Sequence, residues 1–220
     1  MSRFYIPSSG ADSWQALLAD PAKQWKTGYS ARTLAHSWEA ANGLPLEIGE
    51  LFGDDAELLI AIPEHKVSLG DAGRESQSDV FAIIKAGGRT IAVTVEGKVN
   101  ESFGPTIGDW YRDPSPGKQA RLAFLCELLG LKFPPSETLH YQLFHRTASA
   151  VLEGIRFKCD EAAMIVHSFS EEDKWFEAYA DFLALFGLLA NPGELVSKQL
   201  PNGRYLHLGW ARGEPRFLLA

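Results

Sequence analysis

Ser78-Asp79-Val80-Phe81-Ala82-Ile83-Ile84 and Thr90-Ile91-Ala92-Val93-Thr94-Val95-Glu96-Gly97-Lys98, separated by Lys85-Ala86-Gly87-Gly88-Arg89, are the stretch that decides the fold. Both runs are rich in β-branched and apolar residues, and the short glycine-bearing segment between them predicts a hairpin. A two-residue Gly87-Gly88 loop pairs Ala86 with Arg89. The same register sets Ile83 against Ala92, Phe81 against Thr94, Asp79 against Glu96 and Gln77 against Lys98. Cross-strand partners have Cβ atoms roughly 4.5–5.5 Å apart, and like charges there are destabilising. Two carboxylates about 4 Å apart repel by about 4 kcal/mol at a surface-like dielectric. A cation or a shared proton offsets that repulsion, so this face is a candidate hard-metal site.

The second run alternates cleanly. Ile91, Val93, Val95 and Val99 point one way, and Ala92, Thr94, Glu96 and Lys98 the other. The second face stays small and polar until it reaches Glu96 and Lys98, as expected where a strand leaves the core and enters a cleft. Paired carboxylates supply the hard oxygens that Mg²⁺ prefers, and leave positions for water and a phosphate. A lysine beside them orients or helps deprotonate the attacking water and offsets charge on the phosphate. Residue types alone also allow a plainer arrangement, with Asp79 at a strand end and Glu96 and Lys98 in an exposed ladder of ordinary charges.

The bulk properties narrow the class. At 220 residues, 45% hydrophobic and 22% charged, the chain reads as one globular domain spanning 1–220. A net charge of −7 and a pI near 5.4 argue against a general nucleic-acid coat but allow a local basic cleft. Cys126 and Cys159 lack metal-type spacing and read as buried thiols of a reducing compartment. The start, Met1 to Gly10, has no apolar core of signal-peptide length, and Phe182 to Ala190 is too short to span a bilayer. A cytoplasmic protein with no membrane partner is expected.

Outward from the hairpin, Ser30 is a candidate cap for a helix from about Ala31 to Asn42, with Gly43 at its end. Glu57 to Ile62 reads as a strand, with Glu64-His65-Lys66 at its end, either contributing to the rim of the site or, as the preferred reading, in an exposed loop. A Gly/Pro-rich loop from Ser102 to Gly117 leads to helices from about Lys118 to Leu129 and Thr138 to Arg156. On the latter, Tyr141, Phe144, Ala148, Val151, Leu152 and Ile155 form an apolar side. Gln142, His145, Arg146, Ser149, Glu153 and Arg156 gather on an adjacent arc, either lining the cleft or facing solvent. A short buried strand over Ala162–His167, a helix over Lys174–Leu189 and strands around Leu195–Gln199 and Arg204–Trp210 complete a mixed α/β sheet. His167 reads as a satisfied near-core histidine, and His140 and His145, five apart, are splayed.

An aspartate followed, after a hairpin, by Glu96-Gly97-Lys98, with helix and strand on both sides, resembles the PD-(D/E)XK nuclease superfamily. The resemblance covers roughly residues 31–168, leaving 169–220 as a C-terminal extension. It implies the restriction-endonuclease-like fold, with an α-β-β-β-α-β core plus a C-terminal helix and hairpin. It implies that Asp79 and Glu96 hold Mg²⁺ (or Mn²⁺) and that Lys98 positions the water. Ser78 stands where the superfamily's proline would. Glu39 suits the further glutamate that many members carry on the first helix, and Gln142 suits their helical polar residue. Gln77, His145 and Arg146 are the candidates for substrate contact. Pro63–Val67, Val95–Lys98, Tyr141–Thr147 and Val166–Phe169 also resemble stretches shared by a bacterial family with no assigned activity. The expected function is a Mg²⁺-dependent nuclease or phosphodiesterase acting on DNA or RNA. Two alternatives stand beside it: a non-catalytic nuclease-like binding or accessory protein, and a metal-dependent hydrolase of a small phosphorylated substrate.

Overall fold

The hairpin forms in the expected register. The protein is described by a computed structural model covering residues 8–70 and 73–220; part of the amino-terminal segment read as lacking a signal-peptide core lies outside these residues. Strands β1 (Glu57–Val67), β2 (Ser76–Ala86) and β3 (Arg89–Lys98) are antiparallel neighbours. Ala86 pairs with Arg89, Ile83 with Ala92 and Phe81 with Thr94. Gly87 and Gly88 take φ of 55° and 75°, the conformation a tight two-residue hairpin turn demands. The regular ladder ends at Val80 opposite Val95, one pair short of Asp79 and Glu96.

Strand β1 continues past Ile62 through Pro63 to Val67, so Glu64, His65 and Lys66 lie in a strand rather than a loop. Pro63 is tolerated because β1 is the sheet edge, where a missing N–H breaks no ladder on the outer side. Beyond β3 lie β4 (Glu161–Ser168), β5 (Leu195–Gln199) and β6 (Tyr205–Arg212). Among the described residues these strands form one six-stranded mixed sheet in the order β1-β2-β3-β4-β6-β5. Strand β4 is parallel to both β3 and β6, and all eight of its residues are buried, as expected for a parallel strand covered on both faces.

Helix α1 (Ser30–Ala41) covers one face, with Leu34 and Trp38 packed on Val80, Val93 and Val95. Its start differs from expectation. Ser30 is already helical, and its N–H donates to Glu101 Oε1 at 2.9 Å, a cap supplied from across the chain. Asn42, at φ 48°, ends the helix in place of Gly43. A second helix on this face, α2 (Leu46–Phe52), carries no strong sequence signal and buries Ile48.

The opposite face is covered by α3 (Pro116–Leu129), α4 (Tyr141–Phe157) and α5 (Phe176–Ala184). Ser115 caps α3 by accepting the Lys118 N–H, and Gly130 closes it at φ 67°. Helix α5 is shorter than the expected Lys174–Leu189 span. Phe144 and Val151 of α4 join Leu122, Leu125, Tyr179, Phe182 and Trp210 in the core of this layer. The polar arc of α4 turns mostly inward, with Arg156 at its end exposed. Arg146, Ser149 and Glu153 are buried against β1–β3, whereas Ile155, expected on the apolar side, is exposed. Among the described residues, no helix is long and apolar enough to cross a membrane.

Candidate functional site

The site lies where β1, β2 and β3 run out beneath α4. The face of β3 that carries Ala92 and Thr94 delivers Glu96 and Lys98 to the underside of this helix. Thr94 fixes the approach by donating its hydroxyl to the Arg146 carbonyl at 3.0 Å. Glu96 is buried with three donors around it. Its Oε1 accepts from Lys98 Nζ at 2.8 Å and Gln142 Nε2 at 2.7 Å, and its Oε2 from Arg146 Nε at 2.5 Å. Gln142 and Arg146 are four apart on α4 and therefore share one face of it. Lys98 also reaches Gln142 Oε1 at 3.2 Å and sits 5.0 Å from the Phe103 ring centroid. Burial raises the proton affinity of Glu96, but Arg146 and Lys98 outweigh it and hold the carboxyl at about 2.

Asp79 is held differently. Its Oδ2 accepts the Gly97 N–H at 2.7 Å, and Oδ1 has no hydrogen-bond partner among the described residues. Burial and the negative charges of Glu96 and Glu64 push its pKa well up, against the pull of Arg146 and Lys98. Glu64 belongs to the same group. Pro63 pairs with Val80 and His65 with Ser78, which brings Glu64 opposite Asp79. Its backbone takes φ 51°, a left-handed conformation uncommon for a residue with a side chain. Burial raises its carboxyl to about 7, opposed by the hydrogen bond from Gln77 Nε2 at 2.7 Å and reinforced by Glu96. Three carboxylates thus share their immediate field with two basic side chains, Lys98 and Arg146.

A pocket of about 340 Å³ opens onto this cluster. Glu64, Asp79, Ser76, Gln77, His145 and Arg146 line it, with Trp110 and Tyr141 in the wall and Arg74 and Arg121 further round. Trp110 and Tyr141 are stacked with centroids 3.8 Å apart. Arg146 Nη1 donates to Ser76 Oγ at 3.0 Å, and Ser76 Oγ lies 2.8 Å from His145 Nδ1. With Arg146 donating to it, the hydroxyl is free to donate onward to a neutral imidazole. Burial and the adjacent Arg146 charge keep His145 neutral by driving its pKa well down.

Most of the residues singled out in the sequence meet here: Asp79, Glu96, Lys98, Gln142, Gln77, His145 and Arg146. Gln77 reaches Glu64 rather than Lys98. Glu39 is not among them. It projects from α1, on the other face of the sheet, and its Oε1 takes the Trp14 indole N–H at 2.7 Å and the Ser8 hydroxyl at 2.5 Å. Glu64, weighed as a rim residue against an exposed loop, lines the pocket, and Ser76 was not anticipated. The long β1–β2 connection, unlike a two-residue turn, gives no count from which to set Glu64 opposite Asp79. His167 is fully buried, with Nε2 2.7 Å from Glu47 Oε1.

Among the described residues, no group of three or more His, Cys, Asp or Glu side chains is arranged to hold a metal ion by itself. The donor chemistry nevertheless suits a hard divalent cation. Asp79 and Glu64 line the pocket, Asp79 Oδ1 carries no hydrogen bond from the described residues, and burial, reinforced by the neighbouring carboxylates, raises both carboxyls, so that a bound cation would favour their ionised forms. Mg²⁺ commonly takes only one or two protein carboxylates and keeps several waters.

A family profile described as a domain of unknown function (DUF6946) matches residues 7–215, nearly the whole chain and every element that builds the site. The chain belongs to this family. No curated protein and no solved structure matches it. DUF6946 therefore frames the site without assigning it a chemistry, and the chemistry has to be argued from the side chains.

Proposed function

We propose that this protein is a Mg²⁺- or Mn²⁺-dependent phosphodiesterase of the PD-(D/E)XK type, acting on a nucleic acid. The observation that carries it is the open carboxylate of Asp79 beside the Glu96–Lys98 ion pair, at the end of the β2–β3 hairpin and on a pocket wall. The order of helix, three antiparallel strands, helices and a parallel fourth strand supports the same superfamily. Asp79 and Glu96 would hold the cation, with Glu64 as an additional carboxylate. The bound cation supplies charge neutralisation at the phosphate and acidifies water. Lys98, held by Glu96 and Gln142 just behind the pocket wall, would orient the attacking water through that pair, the water oxygen bonding to phosphorus as the ester P–O bond breaks. Arg146 offers its guanidinium to the phosphate oxygens. Neutral His145 receives the Ser76 hydrogen bond and adds no repulsion to that charge. The free, buried thiols of Cys126 and Cys159 support a cytoplasmic setting.

The test is cleavage of single- and double-stranded DNA and RNA with Mg²⁺ or Mn²⁺. Glu96→Ala and Lys98→Ala should each abolish it while leaving the circular dichroism spectrum unchanged. Cleavage that survives both substitutions refutes the assignment. The pocket's modest volume and the chain's net charge of −7 favour a second reading, hydrolysis of a small phosphorylated substrate by the same residues. A small chromogenic phosphodiester run beside the polynucleotides separates the two.

A further inference from the structure

We propose that Arg146 is a built-in counter-ion standing in for the divalent cation, so that metal loading and the release of Arg146 toward a substrate phosphate are one linked event. The proposal rests on the phosphodiesterase reading and specifies how that site is controlled.

The two cations of the cluster are held in different ways. Lys98 is enclosed by Glu96 Oε1, Gln142 Oε1 and the face of Phe103, and is not part of the pocket wall. Arg146 lines the pocket and is anchored to Glu96 Oε2 through Nε and to Ser76 Oγ through Nη1, with a longer contact from Nη1 to His145 Nδ1 at 3.4 Å. The first of these occupies the Glu96 oxygen that Lys98 and Gln142 leave open. The guanidinium therefore neutralises the carboxylate that a metal would use. Full ionisation of Glu64, Asp79 and Glu96 against Lys98 and Arg146 leaves a single net negative charge. A divalent cation reverses that sign while Arg146 remains in place, and leaves a surplus positive charge facing the pocket. A phosphodiester oxygen is the partner that absorbs it. The arginine stem is long enough to turn from Glu96 into the pocket without moving α4, because the side chain already borders that space. Metal and phosphate accordingly bind with positive coupling, and by linkage each tightens the other equally.

Mn²⁺ affinity measured by calorimetry on the full chain tests this without relying on turnover. Arg146→Met removes the competing charge and should tighten Mn²⁺ binding by about tenfold or more, about 1.4 kcal/mol. Ser76→Ala keeps the charge but loosens its second anchor, and should tighten Mn²⁺ binding several-fold. It also provides the test should Arg146→Met fail to fold. A dinucleotide phosphorothioate should tighten Mn²⁺ binding to wild type and not to Arg146→Met. Equal Mn²⁺ affinity in wild type and the folded variants overturns the counter-ion role and leaves the phosphodiesterase reading standing. Tighter Mn²⁺ binding in the variants with no phosphorothioate effect on wild type overturns the linked release. Absence of Mn²⁺ binding in every protein overturns the counter-ion role and the metal reading together.

Discussion

Replacing Glu64 by glutamine should make the metal-free protein more stable at alkaline pH and change it little in acid. Glu64 ionises near 4.5 in the unfolded chain and at about 7 in the fold, chiefly because burial disfavours its charge. A carboxyl whose pKa is raised by folding binds its proton more tightly in the native state. Its stabilising contribution is complete below pH 4.5 and is lost as pH rises through 7. At about 1.4 kcal/mol per pKa unit, the loss by pH 8 amounts to roughly 3 kcal/mol. Glutamine preserves the shape, its side-chain carbonyl can still accept from Gln77, and it has no charge to desolvate. Asp79, relieved of one neighbouring carboxylate, moves the difference in the same direction. His145 and Glu47 oppose the trend in wild type, because folding lowers the pKa of each and so favours the native state as pH rises. The difference between variant and wild type, not the wild-type profile, therefore isolates Glu64. Urea unfolding in EDTA at pH 5, 6, 7 and 8 provides the assay. For an m-value of about 3 kcal/mol/M, the variant's midpoint should gain roughly 1 M relative to wild type between pH 5 and 8. A gap that stays constant with pH refutes the buried, proton-hungry Glu64.

Glu39→Ala should cost about 1 kcal/mol in urea unfolding, because it removes the shorter of the two acceptors of the buried Trp14 indole N–H and leaves only Ser8 Oγ at 3.2 Å, and should not alter Mn²⁺ affinity. A change in Mn²⁺ affinity would return Glu39 to the site. The His145 imidazole should show no titration by NMR between pH 8 and 5.5, since burial and Arg146 hold it neutral. A midpoint near 6.5 would show that it is open to solvent.

The parts of this structure that were legible in the sequence depend on short-range counting. The glycine pair fixes the β2–β3 register, and the alternation of β3 assigns Val93 and Val95 to one helical layer and Glu96 and Lys98 to the other. What the sequence hid depends on distant partners. Glu101 caps α1 from about 70 positions away, and Trp14 draws Glu39 to the far face of the sheet. The polar arc of α4 was ambiguous for a related reason. Its periodicity shows which residues share a side, but only the arrival of Glu96 and Ser76 beneath Arg146 makes burial of that side favourable. The start of α1 moved because a long-range partner, Glu101, set it in place of a local capping residue.

Gly97, the middle residue of Glu96-Gly97-Lys98, donates its N–H to Asp79, and a Cβ there would lie 3.3 Å from Asp79 Oδ2 and 3.3 Å from Leu34 Cδ2. The position between the two charged residues is therefore not a neutral spacer. It excludes proline, which has no N–H to donate, and its permitted size is tied to the residue at 34 on the opposite layer. Among relatives, a bulkier residue at 97 should travel with a smaller one at 34. Such paired exchange would tie the acidic hairpin to the helix behind it as a single inherited unit.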